Sequence, residues 1–157
     1  MAASTLKDEG NKLFKEGKYA EACEKYTEAL TQDPRNSVIY SNRSVTHIKL
    51  KNYEHALSDA QECIKLNPQW SKGYYRKIVA LEGLARYDEV MQSACEGFRR
   101  SGEGQVKREL ADKWLKANQK LNYLPEGPID LPSGILILSK DYLNVLVHLI
   151  RSINGET

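Results

Sequence analysis

The sequence has few cysteines, little net charge and no long apolar run, and each of these excludes a class of protein. Its three cysteines, Cys23, Cys63 and Cys95, are an odd number and fit neither a disulfide framework nor the paired spacing of a zinc site. The net charge is only +2, so we expect neither a nucleic-acid binder nor a protein of the membrane surface. No apolar run reaches the roughly 18 residues of a membrane span. The charged N-terminus lacks the apolar core of a secretory signal. We therefore expect a cytoplasmic chain without membrane insertion, and leave a nuclear location open.

Catalytic signatures are also missing from the sequence. It contains no nucleophile elbow, no phosphate loop and no convergent base. The histidines, His47, His55 and His148, lie at unrelated repeat positions, so we interpret them as solvated or packed side chains and not as metal ligands. The sequence therefore predicts a protein that is not an enzyme and that needs no cofactor.

The most informative feature that is present is an internal repeat. A shift of 34 residues aligns Tyr19 with Tyr53 and Tyr87, and Pro34 with Pro68. Thirty-four residues accommodate two helices of about a dozen residues and two short turns, and such hairpins stack because none can bury its apolar face alone. The predicted copies are residues 3–36, 37–70 and 71–104.

Small residues and prolines mark how each copy is built. Gly10, Ala22 and Ala29 occupy positions where two helices must approach closely, and larger side chains there would separate the backbones. Pro34 and Pro68 follow the second helices, because the residue before proline is driven out of helical dihedral angles.

The segment after the copies has three parts. Residues 105–121 place apolar side chains near one face, which predicts a capping helix that covers the last repeat. Residues 122–134 hold three prolines and two glycines, which indicates a linker or an extended segment. Residues 135–157 form an apolar C-terminal segment.

That last segment is the least polar part of the chain. The stretch from Ile135 to Leu138 could be a strand, while Leu143 to Ile150 carries a helical stripe. We expect another domain or a partner to pack on residues 135–153.

Five polar side chains share one face of the first helices of the repeats. Residues at i, i+3, i+4 and i+7 lie on one helix face, and most acidic residues lie elsewhere. Lysine and arginine make charge-assisted hydrogen bonds to carboxylates, and asparagine adds neutral donors. A terminal carboxylate beside an Asp side chain matches this spread of donors. The five residues are Lys7, Asn11, Asn42, Lys72 and Arg76.

A plainer interpretation exists for each of these residues. Surface lysines are usually solvated, and Asn42 could simply stabilise a helix start. The next groove positions, Phe14, Ile48 and Lys49, are candidates for the pocket and rim that hold ligand side chains upstream of the terminus. For Phe14 a role in the core is an equal alternative.

The repeat pattern resembles the tetratricopeptide repeat family over about two thirds of the chain. The resemblance implies an all-α fold, with three helix-turn-helix repeats in a right-handed superhelical solenoid followed by the capping helix and tail. The third copy departs from the pattern at Val90, Gly97 and Ser101-Gly102. The residues that carry the resemblance are Gly10, Phe14, Tyr19, Ala22, Tyr26, Ala29 and Pro34.

The segments LKDEGN, YSNRS and WSKGYYRK resemble a subset of that family, the carboxylate-clamp co-chaperones. All five clamp positions of the subset are matched by the five residues named above. The resemblance implies a non-enzymatic adaptor that binds the C-terminal Glu-Glu-Val-Asp of the seventy- and ninety-kilodalton heat-shock chaperones. It is strongest to a first repeat domain that binds the seventy-kilodalton partner. The alternative is a scaffold or regulatory fragment of a larger protein, an enzyme included, that recognises a different or internal peptide.

Overall fold

Helices connected by short turns account for nearly all of the described structure. The computed structural model describes residues 2–100, 109–110, 112–114, 116–117, 120, 129–131 and 135–137. Residues 109–110, 112–114, 116–117 and 120 are helical. The elements are α1 (Ala3–Lys15), α2 (Tyr19–Gln32), α3 (Ser37–Lys49), α4 (Tyr53–Leu66), α5 (Ser71–Gly83), α6 (Tyr87–Arg100), β1 (Ile129–Leu131) and β2 (Ile135–Ile137).

The turn inside each hairpin has the same backbone geometry at the same repeat position. Gly17, Lys51 and Ala85 are 34 residues apart and have positive φ angles of 80°, 60° and 56°. In each turn the amide of the next residue bonds back to the carbonyl five residues earlier. This is the Schellman arrangement, which satisfies the last carbonyls of a helix. The repeat period therefore fixes the turn geometry even where the residue is not glycine.

The second helices end just before the prolines, and α3 begins at a side-chain cap. α2 ends at Gln32 and α4 at Leu66, each two residues before a proline. Asn36 Oδ1 accepts hydrogen bonds from the amides of Val38 and Ile39, at 3.1 and 3.3 Å. Asn42 lies in the middle of α3. The interpretation of Asn42 as a helix-start residue is therefore wrong, because Asn36 has that role.

Two apolar clusters hold the hairpins together. In the first, Gly10 lets the ring of Tyr26 lie directly on α1, since a Cβ on Gly10 would be 2.7 Å from Tyr26 Cε1. Burial of each large apolar side chain contributes roughly 1.5–3 kcal/mol. The N-terminal core consists of Leu6, Ala22, Tyr26, Ala29, Leu30 and Ile39. The C-terminal core consists of Ala56, Leu57, Tyr74, Ile78, Ala80, Leu81, Val90, Ala94, Leu110, Trp114 and Ala117.

The helical residues beyond α6 cover the end of the repeat array. Leu110, Trp114 and Ala117 are buried within the C-terminal core, at i, i+4 and i+7 spacing. The cysteines are free thiols, with Cys63 buried and Cys23 and Cys95 partly buried.

The predicted all-α class is confirmed for the repeats, and the described residues add one small strand pair. β1 pairs with β2 in antiparallel fashion, with Asp130 opposite Leu136. β1 lies inside the range predicted as a linker or extended segment, and it falls between Pro128 and Pro132. Proline lacks a ladder donor and is confined to strand ends and edges, which limits β1 to a few residues.

The structure describes only the first part of the apolar C-terminal segment, for which the sequence allows both a strand and a helical stripe. Ile135–Ile137 is the strand β2. The helical stripe from Leu143 to Ile150 lies outside the described residues, and so does most of the expected packing surface at residues 135–153. Among the described helices, none is long and apolar enough to cross a membrane.

Candidate peptide-binding site

The first helices of the three repeats are neighbours. α1 contacts α3, and α3 contacts α5, so the polar face predicted on each helix joins that of the next. The most direct link is between two predicted site residues, because Asn42 Nδ2 on α3 donates to Asn11 Oδ1 on α1 at 2.9 Å. The structure thus brings together side chains that are 31 residues apart in sequence.

Lys7 and Asn11 lie on the same face of α1, with Asp8 beside both. Lys7 Nζ is 3.7 Å from Asp8 Oδ1. Asn11 Nδ2 is 3.5 Å from the same carboxylate oxygen, which is too long for a strong hydrogen bond. Asp8 is 67% exposed, so both contacts are open to water and can be displaced. The sequence analysis placed the acidic residues mostly elsewhere, and Asp8 is an exception that the helix geometry creates.

Lys72 and Arg76 lie one turn apart on α5 and have no carboxylate partner among the described residues. Lys72 Nζ is 5.8 Å from the ring centroid of Trp70, and Arg76 Cζ is 5.9 Å from that of Tyr75. Such cation–π contacts orient a cation without neutralising it. Both cations thus remain available to an anionic ligand.

Arg76 is the more unusual of the two cations. Its Nε atom is buried and has no hydrogen-bond partner within the described part of the chain. Burial lowers the pKa of Arg76 below its ordinary value, since removal from water disfavours the charged form. A partly buried charge without a carboxylate partner is unfavourable, and a ligand carboxylate would compensate it.

Arg43 is an arginine on a first helix, and its guanidinium has hydrogen-bond partners. Its Nε and Nη2 donate to the two carboxylate oxygens of Asp59 at 2.9 and 2.7 Å, and its Nη1 donates to Thr27 at 3.0 Å. The hydrogen bonds that Arg43 donates to Asp59 raise the pKa of Arg43 above its ordinary value. Arg43 therefore has a structural role, while Arg76 is available for a ligand.

The three candidate pocket residues differ in their surroundings. Phe14 packs edge-on against Tyr19, with ring centroids 5.3 Å apart, and borders the N-terminal core. Ile48 borders the C-terminal core, and Lys49 is exposed. The packing of Phe14 fits its core alternative for part of the side chain, while Ile48 and Lys49 remain candidates for the pocket and rim.

A second polar cluster joins α2, α3 and α4, and no pattern in the sequence predicts it. His47 lies 3.8 Å from Cys23 Sγ and 3.9 Å from Asp59, and its ring is 5.3 Å from that of His55. The two histidines are thus neighbours, although their repeat positions are unrelated.

This cluster lacks the properties of a nucleophilic site. Burial raises the pKa of Cys23 to about 11, so its thiol stays protonated at neutral pH. Arg43 already occupies both oxygens of Asp59. Among the described residues, no group of three or more His, Cys, Asp or Glu side chains could hold a metal ion.

Tyr26, which the sequence marks only as one of the residues that carry the family resemblance, contacts a predicted site residue. Its hydroxyl donates to Asn11 Oδ1 at 2.8 Å. A signal was available in the repeats, because Asn11 and Tyr26 correspond to Val45 and Ala60 in the second copy. The polar pair therefore occurs in the first copy and not at the equivalent second-copy positions.

Stacked helical hairpins whose first helices present polar side chains on a shared face define a class of protein-interaction modules that bind peptides. Family models described as "TPR repeat" and "Tetratricopeptide repeat" match residues 10–51 and 37–70. Together with the similarities below, these matches show that the chain belongs to the tetratricopeptide repeat family.

Two curated relatives illustrate the similarity in sequence. A Plasmodium falciparum protein named "Hsp70-Hsp90 organising protein" is 32% identical over 162 residues, which covers 98% of this chain and 64% of the relative. The Saccharomyces cerevisiae "Heat shock protein STI1" is 34% identical over 127 residues, covering 80% of this chain and 22% of the relative. The chain thus spans less than two thirds of the length of either relative.

Two solved structures illustrate the similarity in fold. The first TPR of Spaghetti (RPAP3), bound to the HSP90 peptide SRMEEVD, has a TM-score of 0.70 and 30% identity, over 77% of this chain and 94% of that one. The TPR2B domain of yeast Sti1, in complex with an Hsp70 peptide, has a TM-score of 0.72 and 25% identity, over 75% and 97%.

Proposed function

We propose that the chain is a non-enzymatic co-chaperone adaptor. It binds the C-terminal Glu-Glu-Val-Asp peptide of the seventy- and ninety-kilodalton heat-shock chaperones and acts in the cytoplasm. The observation that carries the proposal is Arg76, a partly buried cation whose buried Nε atom lacks a partner among the described residues. The similar structures solved with chaperone peptides support the choice of ligand.

The proposed clamp has two groups of donors. Lys7, Asn11 and Asn42 form the first, joined by the hydrogen bond between the two asparagines. Lys72 and Arg76 form the second group, on α5. A C-terminal Asp presents two carboxylates a few ångströms apart, so each donor group receives one. An internal Asp offers a single carboxylate and leaves one group unused.

The positions next to the clamp would hold residues upstream of the terminal Asp. Lys49 is exposed and suits an acidic side chain, while the accessible parts of Phe14 and Ile48 suit an apolar one. We expect a dissociation constant on the order of micromolar, since a short flexible tail must be ordered on binding. The resemblance to a first repeat domain favours the seventy-kilodalton partner.

Isothermal titration calorimetry with two peptides tests the proposal. SRMEEVD and SGPTIEEVD, the peptides of similar structures, are titrated with a free C-terminus and again as C-terminal amides. We expect the amides to bind at least about tenfold more weakly, because a charge-assisted bond contributes roughly 1.5–3 kcal/mol. Equal binding of acid and amide would show recognition of an internal peptide and contradict the clamp.

Matched lysine variants separate the clamp from general charge effects. Lys72→Ala removes a cation from α5, while Lys65→Ala removes one from α4, where Lys65 contacts Glu62. We expect the first variant to weaken binding and the second to leave it nearly unchanged. Similar losses in both variants would mean that net charge, and not the clamp, drives association.

A further inference from the structure

A buried hydroxyl reaches the proposed clamp from the second helix of the first repeat. Tyr26 on α2 is 1% exposed, and its hydroxyl donates to Asn11 Oδ1 at 2.8 Å. Asn42 Nδ2 donates to the same oxygen at 2.9 Å. A carbonyl oxygen accepts two hydrogen bonds through its two lone pairs, so the acceptor capacity of Asn11 Oδ1 is filled.

Because Asn11 Oδ1 accepts both hydrogen bonds, the direction in which the amide nitrogen of Asn11 points is determined. Rotation of the amide by half a turn would set its NH2 group against Asn42 Nδ2, donor against donor. In the observed orientation, Nδ2 lies 3.5 Å from the exposed carboxylate of Asp8, a contact that is long and displaceable. The amide therefore presents its N–H bonds on the side where Lys7 and Asp8 lie.

We propose that the Tyr26 hydroxyl is a positioning group for peptide binding, because it holds the Asn11 amide with its N–H bonds directed at the ligand carboxylate. This inference rests on the proposed function. It extends that function by adding a residue that does not touch the peptide and acts through Asn11.

The packing of Tyr26 makes the arrangement rigid. Its ring lies against α1 where Gly10 leaves room, since a Cβ there would be 2.7 Å from the ring. Burial raises the pKa of Tyr26 to about 12, so the hydroxyl keeps its proton and remains a donor at neutral pH. Tyr26 thus reaches Asn11 as a fixed donor from outside the peptide-binding face.

The repeats themselves provide an internal comparison. The positions of Asn11 and Tyr26 are occupied by Val45 and Ala60 in the second copy, and by Val79 and Ala94 in the third, in every case an apolar pair. The helical hairpin forms in all three copies. The fold of a repeat therefore does not need the tyrosine–asparagine bond, and the polar pair occurs where the first donor group of the clamp lies.

Tyr26→Phe tests the inference, because it removes the hydroxyl and keeps the ring. We expect SRMEEVD to bind about three- to tenfold more weakly, the range for loss of one orienting hydrogen bond. Tyr74→Phe is the matched control: Tyr74 is also 1% exposed, and its hydroxyl donates to the backbone carbonyl of Pro68 at 3.1 Å. We expect this control to bind the peptide as the unchanged protein does.

A double-mutant cycle distinguishes positioning from a general structural effect. In an Asn11→Ala background, Tyr26→Phe should cause no further loss of affinity, since the hydroxyl acts only through Asn11. Equal loss in both backgrounds would overturn the inference. So would unchanged affinity of Tyr26→Phe in an otherwise unaltered protein that binds the peptide.

A measurement without ligand keeps the inference separate from the proposed function. The side-chain amide resonances of Asn11 in the free protein should shift in Tyr26→Phe and stay in place in Tyr74→Phe. Absence of that shift would overturn the inference even if the peptide binds. Failure of the unchanged protein to bind either acid peptide would overturn the proposed function, whatever the resonances show.

Discussion

Asn42 donates from Nδ2 to Oδ1 of Asn11 at 2.9 Å, across the boundary between the first two repeats. Each asparagine lies on the first helix of its copy, so the bond joins two neighbouring helices on their polar face. A hydrogen bond between side chains contributes about 0.5–1.5 kcal/mol in net terms. Its larger consequence is geometric, because it fixes two of the proposed clamp residues relative to each other before a ligand arrives.

Two arginines on neighbouring helices should respond to substitution in opposite ways. Arg76→Ala should weaken binding of SRMEEVD by about tenfold or more, with a nearly unchanged melting temperature, because a partly buried cation without a described carboxylate partner is removed. Calorimetry measures the peptide affinity, and thermal unfolding of the same sample measures the melting temperature.

Arg43→Ala is the comparison for that variant. It leaves Asp59, which is 6% exposed, without its bidentate partner. The loss should be about 2 kcal/mol of unfolding free energy, below the roughly 3–5 kcal/mol of a fully buried pair because Arg43 is partly exposed. Binding should change little. A stability loss in Arg76→Ala equal to that in Arg43→Ala would contradict a ligand-binding role for Arg76.

Asp8 should compete with the ligand for the first donor group. Asp8→Asn removes the carboxylate near Lys7 and Asn11, so peptide affinity should rise about two- to fivefold at low salt, the range for an exposed ion pair. Glu54→Gln on α4 removes the same charge at a distance from α1 and serves as the control. An equal gain in both variants would assign the effect to net charge alone.

The positive φ angles of the hairpin turns predict a stabilising substitution. Ala85 has φ 56°, a conformation that is unfavourable for residues with a Cβ, so Ala85→Gly should raise the unfolding free energy by about 0.5–1 kcal/mol. Gly17→Ala is the reverse change at the equivalent position, where a Cβ would meet nothing within 4 Å. It should lower stability by about 1 kcal/mol. Urea titration of both variants measures the difference.

His47 should make the stability depend on pH below neutrality. Burial lowers the pKa of His47 from its ordinary 6.5, with Arg43 and His55 acting in the same direction and Asp59 opposing them. The unfolded chain then binds more protons than the folded chain below about pH 6.5. The stabilising contribution of neutral His47 to the free energy of unfolding is therefore present in full above that pH. It is lost as the pH falls through the pKa of His47 in the folded state.

Replacement of His47 tests this pH dependence. His47→Gln should flatten the change in melting temperature between about pH 7.5 and 5.5. An identical slope in His47→Gln and the unchanged protein would show that other groups are responsible.

Much of the fold could be predicted because it depends on local and periodic features. The 34-residue spacing of Tyr19, Tyr53 and Tyr87 marks the start of every second helix, since α2, α4 and α6 begin at these residues. Pro34 and Pro68 limit the helix ends through the geometry of the preceding residue. The strand β1 could be predicted only as part of a linker or extended segment, because three residues between prolines carry no periodic signal.

Helical spacing and the repeat period are enough to place Lys7, Asn42 and Arg76 on one face of the first helices. Which of these polar groups lack a partner depends on the packing of the other helices. Arg43 and Arg76 are both arginines on first helices, yet one pairs with Asp59 and the other has a buried Nε without a described partner. The reason is physical: hydrogen bonding and burial depend on atoms supplied by other helices, which the spacing along one helix does not reveal.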